Sequence, residues 1–427
     1  MKILYFNSFS VVHGGAERLL FDTCTEMLER GHQIAIIIAN DDRRLRNPEF
    51  WPARINRYYV PELILPLCDR RAYDRHRRTE SYQDTLRYLQ DIISIESPDL
   101  IHVHNFPSVE IFKELDADVP LIKTVHSFEN LCETRLKLLP DGAICSYPMG
   151  KVCKAICGFE DSFRAVRVRC ENHFSKFRFA RFLAISDYIR EVLLANGFPE
   201  RKIRILPNFT RLTQKCVDVA EENRVLYVGR LTPEKGLLEL IRAIRRMQRQ
   251  PTLHIVGKDG VLGQSSFQDA ILREAVTLGV DLDLQGWVIG DELSRAYARA
   301  RLVAFSSVWP EPFGLVGIEA MLQGKPVVAF DTGGVRDWLR HKETGFLVPH
   351  GDLDQYAARI DQLLADDSLR RRMGDTARRY ALERFTARRY MTDLLDIYME
   401  VINEGAADRS GGHPEVRDAQ CWPSVPV

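Results

Sequence analysis

Short apolar runs alternate with amphipathic stretches twice over along this chain, and that alternation restricts its fold more than any other feature. In the first half, "KILYFNS" leads through Gly14 and Gly15 into the helical pattern "AERLLFDTCTEMLERGH", which stops at Gly31 and feeds "QIAIIIAN". A strand, a glycine turn, a helix and a strand in that order imply a parallel sheet covered by helices. "PDLIHVHN", "PLIKTVHS" and "RFLAISDYI" read as later strands of the same sheet, and "KIRILPNFT" closes this half near Pro207. A second set starts at "RVLYVGR" and runs through "TLHIVGKDG", "VDLDLQGWV", "RLVAFSS", "KPVVAF" and "TGFLVP", with Gly or Pro at most of the breaks.

The expected fold is therefore α/β, with two doubly wound, Rossmann-like domains facing a central cleft. The expected boundaries are a first domain over 1–207, a linker over 208–223, a second domain over 224–384, and a helix over 385–403 that packs back on the first domain. The Gly- and Pro-rich tail 404–427 has little to bury and reads as disordered. At 427 residues the chain suits two domains of roughly 200 residues. Open α/β sheets bind ligands at the carboxyl ends of their strands, so the functional residues are expected there.

Lys plus Arg equals Asp plus Glu at 59 each, which gives no global charge for nucleic acid and favours small-molecule chemistry. The longest compact apolar run, "IAIIIA", cannot span a bilayer that needs about 20 residues, and the start of the chain reads as a strand rather than a secretory signal. Nine cysteines, an odd count, point to a reducing cytoplasm.

Three segments carry chemistry. In "YVGRLTPEKGLLELIRAI", Arg230 and Lys235 sit at a strand-to-helix turn, with a helix expected from near Gly236. Two cations there suit an anion, since a guanidinium grips two phosphate oxygens and a helix start adds partial positive charge; the plainer alternative is an exposed pair on a turn. Gly14 and Gly15 hold the matching place in the first domain, either letting backbone N–H groups approach a ligand or making a tight turn with none. In "EPFGLVGIEAM", Glu311 and Glu319 stand eight positions apart, with the backbone of Phe313 and Gly314 at a helix start between them. Each carboxylate can accept from two neighbouring hydroxyls of one diol, or serve as a structural partner of Arg or backbone.

"GGAERLL", "YVGRLTPEKG", "EPFGLVGIEAMLQGKPVV" and "GGVRDWLRHKETGFLVP" together resemble the retaining GT-B glycosyltransferases of family 4, also called group 1, over roughly residues 1–400. The resemblance implies that Arg230 and Lys235 hold a donor diphosphate, that Glu319 binds the ribose diol, and that Glu311 holds donor-sugar hydroxyls. It implies backbone contacts to sugar and phosphate from Phe313, Gly314 and Leu315, with Gly15 opposite, and it places His126 of "KTVHSFENLC" near the donor sugar. The implied reaction moves a hexose from a UDP- or GDP-sugar to a hydroxyl of a sugar, lipid-linked or other acceptor in polysaccharide, lipopolysaccharide or glycoconjugate synthesis, with no metal cofactor for catalysis. A nucleotide-sugar epimerase or a non-catalytic partner of the same architecture are the competing readings. Ser127 after His126, Asp337 in "GGVRDWL" and Lys258 in "VGKDG" depart from the commoner family pattern and leave the donor's identity open.

Cys132, Cys145, Cys153 and Cys157 fall in one loop as C-x12-C-x7-C-x3-C, which suits either a structural tetrahedral zinc or ordinary buried thiols. Arg-rich stretches at 70–78, 164–181 and 370–389 read either as peripheral contacts with anionic lipid at the inner face of a membrane or as solvated helix faces, the last stretch as a solvated face.

Overall fold

The computed structural model describes residues 1–9, 14–40, 51–60, 79–106, 111–115, 118–158, 163–211, 219–258 and 266–410. The Arg-rich stretch 70–78, Asp259 and Gly260 of "VGKDG", residues 212–218 of the expected linker and the tail from 411 lie outside the described residues. The chain divides into two compact units, Met1–Pro207 with the residues from Tyr390 onward, and Asn208–Arg389. Residues at the start of the expected linker thus belong to the second unit.

The first unit holds a seven-stranded parallel sheet of strands β1 (Lys2–Phe9), β2 (Gln33–Asn40), β3 (Asn56–Tyr59), β4 (Leu100–Val103), β5 (Leu121–Val125), β6 (Arg181–Ala184) and β7 (Ile203–Ile205). Their order is β3-β2-β1-β4-β5-β6-β7. The second unit holds β8 (Arg224–Val228), β9 (Thr252–Val256), β10 (Leu282–Gly286), β11 (Leu302–Phe305), β12 (Val327–Phe330) and β13 (Gly345–Val348) in the order β10-β9-β8-β11-β12-β13. Both sheets are parallel throughout.

The strand sequences explain this. Ile3 to Phe6 of β1 and Val327 to Phe330 of β12 are apolar without alternation and almost wholly buried, as strands covered on both faces must be. Between them, the helix Leu237–Arg245 buries Leu237, Leu240, Ile241 and Ile244, a spacing that makes one apolar stripe, and leaves its arginines outward. The long helix Ala387–Ser410 continues past the expected end at 403. Within the first unit its Tyr398 hydroxyl meets the Tyr5 hydroxyl at 3.0 Å, and Arg181 reaches Glu400 at 2.7 Å and Glu404 at 2.5 Å.

In each sheet the order reverses once, between β1 and β4 and between β8 and β11. Chains leaving two adjacent strands in opposite directions open a crevice at their carboxyl ends. The loops after those four strands contain Gly14, His104, Lys235 and Glu311.

Among the described residues no helix is long and apolar enough to cross a membrane. The stretch 370–389 is not uniformly solvated, because Arg370 is buried and pairs with Glu221 at 2.6 Å and Asp367 at 3.0 Å. In the stretch 164–181, Phe174 and Phe179 point into the core and Phe177 is exposed.

Candidate functional site

The turn after β8 holds Arg230 toward solvent and Lys235 toward the loop after β11. The Tyr227 hydroxyl, itself buried, donates to the Arg230 carbonyl at 2.8 Å, and Pro233–Lys235 form one tight turn ahead of the helix Leu237–Arg245. Gly236 joins turn to helix at φ +68°, and a Cβ there would lie 1.9 Å from the Ser306 carbonyl oxygen. The glycine is required by both the left-handed backbone and the close approach of the loop after β11. That approach is fastened by Ser306 Oγ, which donates to the Lys235 carbonyl at 3.1 Å, and by Val308 N–H, which donates to the Glu234 carbonyl at 3.1 Å.

The packing brings Lys235 onto Glu311. Its ammonium pairs with Glu311 Oε1 and lies 5.2 Å from the Trp309 ring centroid, and Ser307 Oγ donates to the same carboxylate oxygen at 2.6 Å. Burial pushes the Glu311 carboxyl up, but the Lys235 charge and the hydrogen bonds from Lys235, Ser307 and Trp309 outweigh it and hold it below the usual range. Glu311 is therefore an anion, and a poor proton donor. Arg230 is 41% exposed, with Glu234 3.6 Å away as its weak i,i+4 partner. Its guanidinium faces solvent beside the Lys235 turn.

The helix Leu315–Leu322 begins after Gly314, whose φ is +100° and whose Cβ would come within 2.7 Å of the Phe305 ring. Phe313 is buried, and its carbonyl accepts from the Trp338 indole N–H at 2.7 Å, so its side chain and carbonyl are structural. The first N–H groups of the helix, Leu315 among them, have no partner within the helix and make an anion-facing end. Half-buried on this helix, Glu319 accepts from the Tyr297 hydroxyl at 3.1 Å and from Thr210 Oγ1 at 3.4 Å. Gly334 N–H donates to the Glu311 carbonyl at 2.7 Å, which ties the "GGVRDW" turn, with Asp337, to the same place. Lys258 lies against the turn after β8, its carbonyl accepting from Leu231 N–H at 2.9 Å, and its ammonium is 5.7 Å from the Trp287 ring centroid.

In the first unit, Gly15 opens the helix Gly15–Glu29 and Gly14 precedes it at φ −166°, an extended conformation open to any residue. A Cβ on Gly14 would meet only Glu17 at 3.7 Å, an ordinary contact. The buried group here is Glu17. Burial, offset in part by backbone N–H groups and by Asn105 Nδ2 at 3.2 Å, pushes its carboxyl up.

His126 follows β5 and is buried, with Nε2 2.8 Å from His104 Nδ1. Burial, then the Lys123 charge, drives its pKa down to about 3, so the ring is neutral. A pocket is lined by His104, His126, Ser127, Glu129 and Asn130.

Cys132 and Cys145 are buried, and Cys153 and Cys157 are half-buried on the helix Lys151–Cys157. Cys132 Sγ has Thr134 Oγ1 at 3.2 Å, and Cys145 Sγ has Lys137 Nζ at 3.9 Å. Burial, with neighbouring cysteines and Glu133 adding to it, pushes the Cys153 and Cys157 thiols up. Among the described residues no group of three or more His, Cys, Asp or Glu side chains is arranged to hold a metal, these cysteines included.

Sequence reasoning missed Ser307, Trp309, Tyr297, Thr210, His104 and Glu17. Ser307 and Trp309 could have been found from their place between a strand end and Glu311. Tyr297 and Thr210 lie in segments that carry no motif.

The chain matches the family described as Glycosyl transferases group 1 over residues 210–380 and Glycosyltransferase Family 4 over residues 13–214. It is 24% identical over 329 residues to glycosyltransferase MJ1607 of Methanocaldococcus jannaschii, a match covering 72% of this chain and 76% of that one. It is 35% identical over 206 residues to the D-inositol 3-phosphate glycosyltransferase of Corynebacterium efficiens, covering 46% of this chain and 47% of the relative, about half of each. In fold it is similar to Anabaena Alr3699/HepE, solved in complex with UDP and glucose, with a TM-score of 0.69 and 20% identity over 94% of this chain and 100% of that one. With the two family matches spanning both units, the chain belongs to the group 1, family 4 glycosyltransferases and has their GT-B fold.

Proposed function

We propose that the protein is a retaining hexosyltransferase that takes its sugar from a nucleoside diphosphate sugar and passes it to a hydroxyl acceptor. The observation that carries this reading is the joining of Lys235 and Glu311 at the point where the second sheet reverses, with Arg230 exposed beside them and Glu319 on the next helix. Anion-binding and diol-binding groups there match the two ends of such a donor. The UDP and glucose bound by Anabaena HepE agree with a donor of this class.

In the proposed reaction the bond from the anomeric carbon to the diphosphate oxygen breaks first. Negative charge grows on the diphosphate and positive charge on the sugar ring. Lys235 and Arg230 stabilise the departing anion in place before the bond breaks, which is the largest catalytic contribution open to such a site. Glu311, held ionised, accepts from sugar hydroxyls and lies near the developing cation, while Glu319 accepts from the ribose diol. The acceptor oxygen then attacks from the face the diphosphate leaves, its proton passes to a phosphate oxygen, and configuration is kept. His126, neutral, offers a hydrogen bond to a sugar oxygen.

Calorimetric titration with UDP, GDP and ADP, using the wild type and Lys235→Ala side by side, tests the donor site. Binding of one nucleotide that Lys235→Ala weakens supports the reading and fixes the base. No binding by the wild type to any of the three rejects it. Anomeric NMR of the product made from the matching donor then tests retention.

A further inference from the structure

Three histidine rings stand in a row at the ends of β4 and β5. His102 has both nitrogens engaged, Nδ1 with the Tyr398 hydroxyl and Nε2 with Thr124 Oγ1, each at 2.7 Å. Its ring centroid lies 4.3 Å from that of His104, and that of His104 lies 5.0 Å from that of His126. His104 and His126 share one hydrogen bond, between His104 Nδ1 and His126 Nε2 at 2.8 Å. His104 Nε2 is buried and has no hydrogen-bond partner among the described residues.

A neutral imidazole carries one proton on one of its two nitrogens, so this arrangement has two solutions. Burial keeps all three rings neutral. If His126 donated from Nε2, His104 would have to accept at Nδ1 and carry its own proton on Nε2. That N–H would then be buried without an acceptor, the rarest kind of unsatisfied group in folded proteins. If His104 donates from Nδ1, only a bare lone pair is left at its Nε2, and His126 must carry its proton on Nδ1.

We propose that His104 is a positioning residue that donates from Nδ1 to His126 Nε2 and fixes His126 as a neutral Nδ1–H donor serving the pocket lined by Ser127, Glu129 and Asn130. The use of that donor rests on reading His126 as a group on the sugar side. Its tautomer is a property of the chain alone. Held this way, His126 gives a hydrogen bond to a sugar or acceptor oxygen and takes no proton from it. His104 also lines this pocket, but its Nδ1 is engaged with His126 and its Nε2 is buried, so it acts through the ring it holds.

The test is a long-range proton–nitrogen correlation spectrum of the full-length protein labelled at histidine nitrogen, recorded without nucleotide, with signals assigned from His126→Gln. The expected result is the Nδ1–H pattern for both His104 and His126. His104→Asn, whose amide N–H falls near the position of Nδ1, is expected to keep the Nδ1–H pattern of His126. His104→Leu removes the donor and is expected to shift His126 toward the Nε2–H form. A His126 signal of Nε2–H type in the wild type overturns the proposal even if UDP, GDP or ADP binds at the second unit. Should His104→Leu not fold, the wild-type and His104→Asn spectra still decide. A wild-type result as expected alongside absent nucleotide binding would keep the tautomer and reject the donor-site reading.

Discussion

Lys235 and Glu311, 76 residues apart in the chain, form one ion pair, and Ser307 bonds the carboxylate oxygen that the lysine also holds. In the proposed function the pair supplies both chemical ends at once, a cation for phosphate and an anion for hydroxyls. It is maintained by the close packing of the loops after β8 and β11, so each partner's position depends on the other's.

Lys235→Ala is expected to lower kcat/KM by about a hundredfold to a thousandfold, or roughly 3 to 4 kcal/mol, by analogy with loss of one donor to a developing oxyanion. The same change leaves Glu311 buried without its main countercharge, and the carboxyl pKa is expected to rise. Steady-state kinetics with the donor whose nucleotide binds, beside a thermal melt, separate the two effects. A variant with full activity would remove Lys235 from the mechanism.

Glu319 carries two hydroxyl partners already, Tyr297 and Thr210. Glu319→Gln keeps the shape but halves the acceptor oxygens and introduces a donor, and is expected to weaken nucleoside diphosphate binding by about tenfold, roughly 1.4 kcal/mol. Calorimetry with the ribose and 2′-deoxyribose forms of the same nucleotide checks the assignment. The wild type should discriminate between them, and Glu319→Gln should discriminate less. Equal affinities in the wild type would place the diol elsewhere.

Gly236→Ala is expected to destabilise the second unit by more than about 2 kcal/mol, through a strained left-handed alanine and a Cβ driven 1.9 Å from the Ser306 carbonyl oxygen. Denaturant unfolding measures it. A loss under about 0.5 kcal/mol would mean that the turn relaxes freely, and the tight docking of the Lys235 turn on the loop after β11 would not be needed to place the cation.

How much of this was legible beforehand follows from where the signal resides. Apolar runs such as "LVAF" and "VVAF" specify buried parallel strands by themselves, because nothing in them alternates. Arg230, Lys235 and Glu311 stood out because each lies at a strand end or turn marked by Gly or Pro, and Glu319 by its spacing from Glu311 along the following helix. The Lys235–Glu311 pairing was not legible, since it depends on β8 and β11 becoming neighbours across 76 residues. His104 was passed over for the same reason: its partner arrives from β5, and its sequence shows only a histidine after a strand.

The first unit is expected to lose stability steeply as pH falls below about 6.5. His102 and His104 are held well below the ordinary histidine range and His126 at about 3, in each case chiefly by burial. In the unfolded chain each would take up a proton near pH 6.5. Between there and the lower folded values, the unfolded state binds protons that the folded state does not, so stability rises with pH and is lost as pH falls. For His126, held at about 3, this comes to about 2 kcal/mol from pH 7 to pH 5, and His102 and His104 act in the same direction. Glu17 acts in the opposite sense, since its raised carboxyl favours the folded state as pH falls, but it is one group against three. Hydrogen exchange of the β4 and β5 amides, measured at pH 7 and pH 5 and corrected for intrinsic rates, reads the effect where the rings sit. Protection that stays constant across that interval would show that at least two of the three rings accept protons in the folded state, and the neutral row at the ends of β4 and β5 would have to be abandoned.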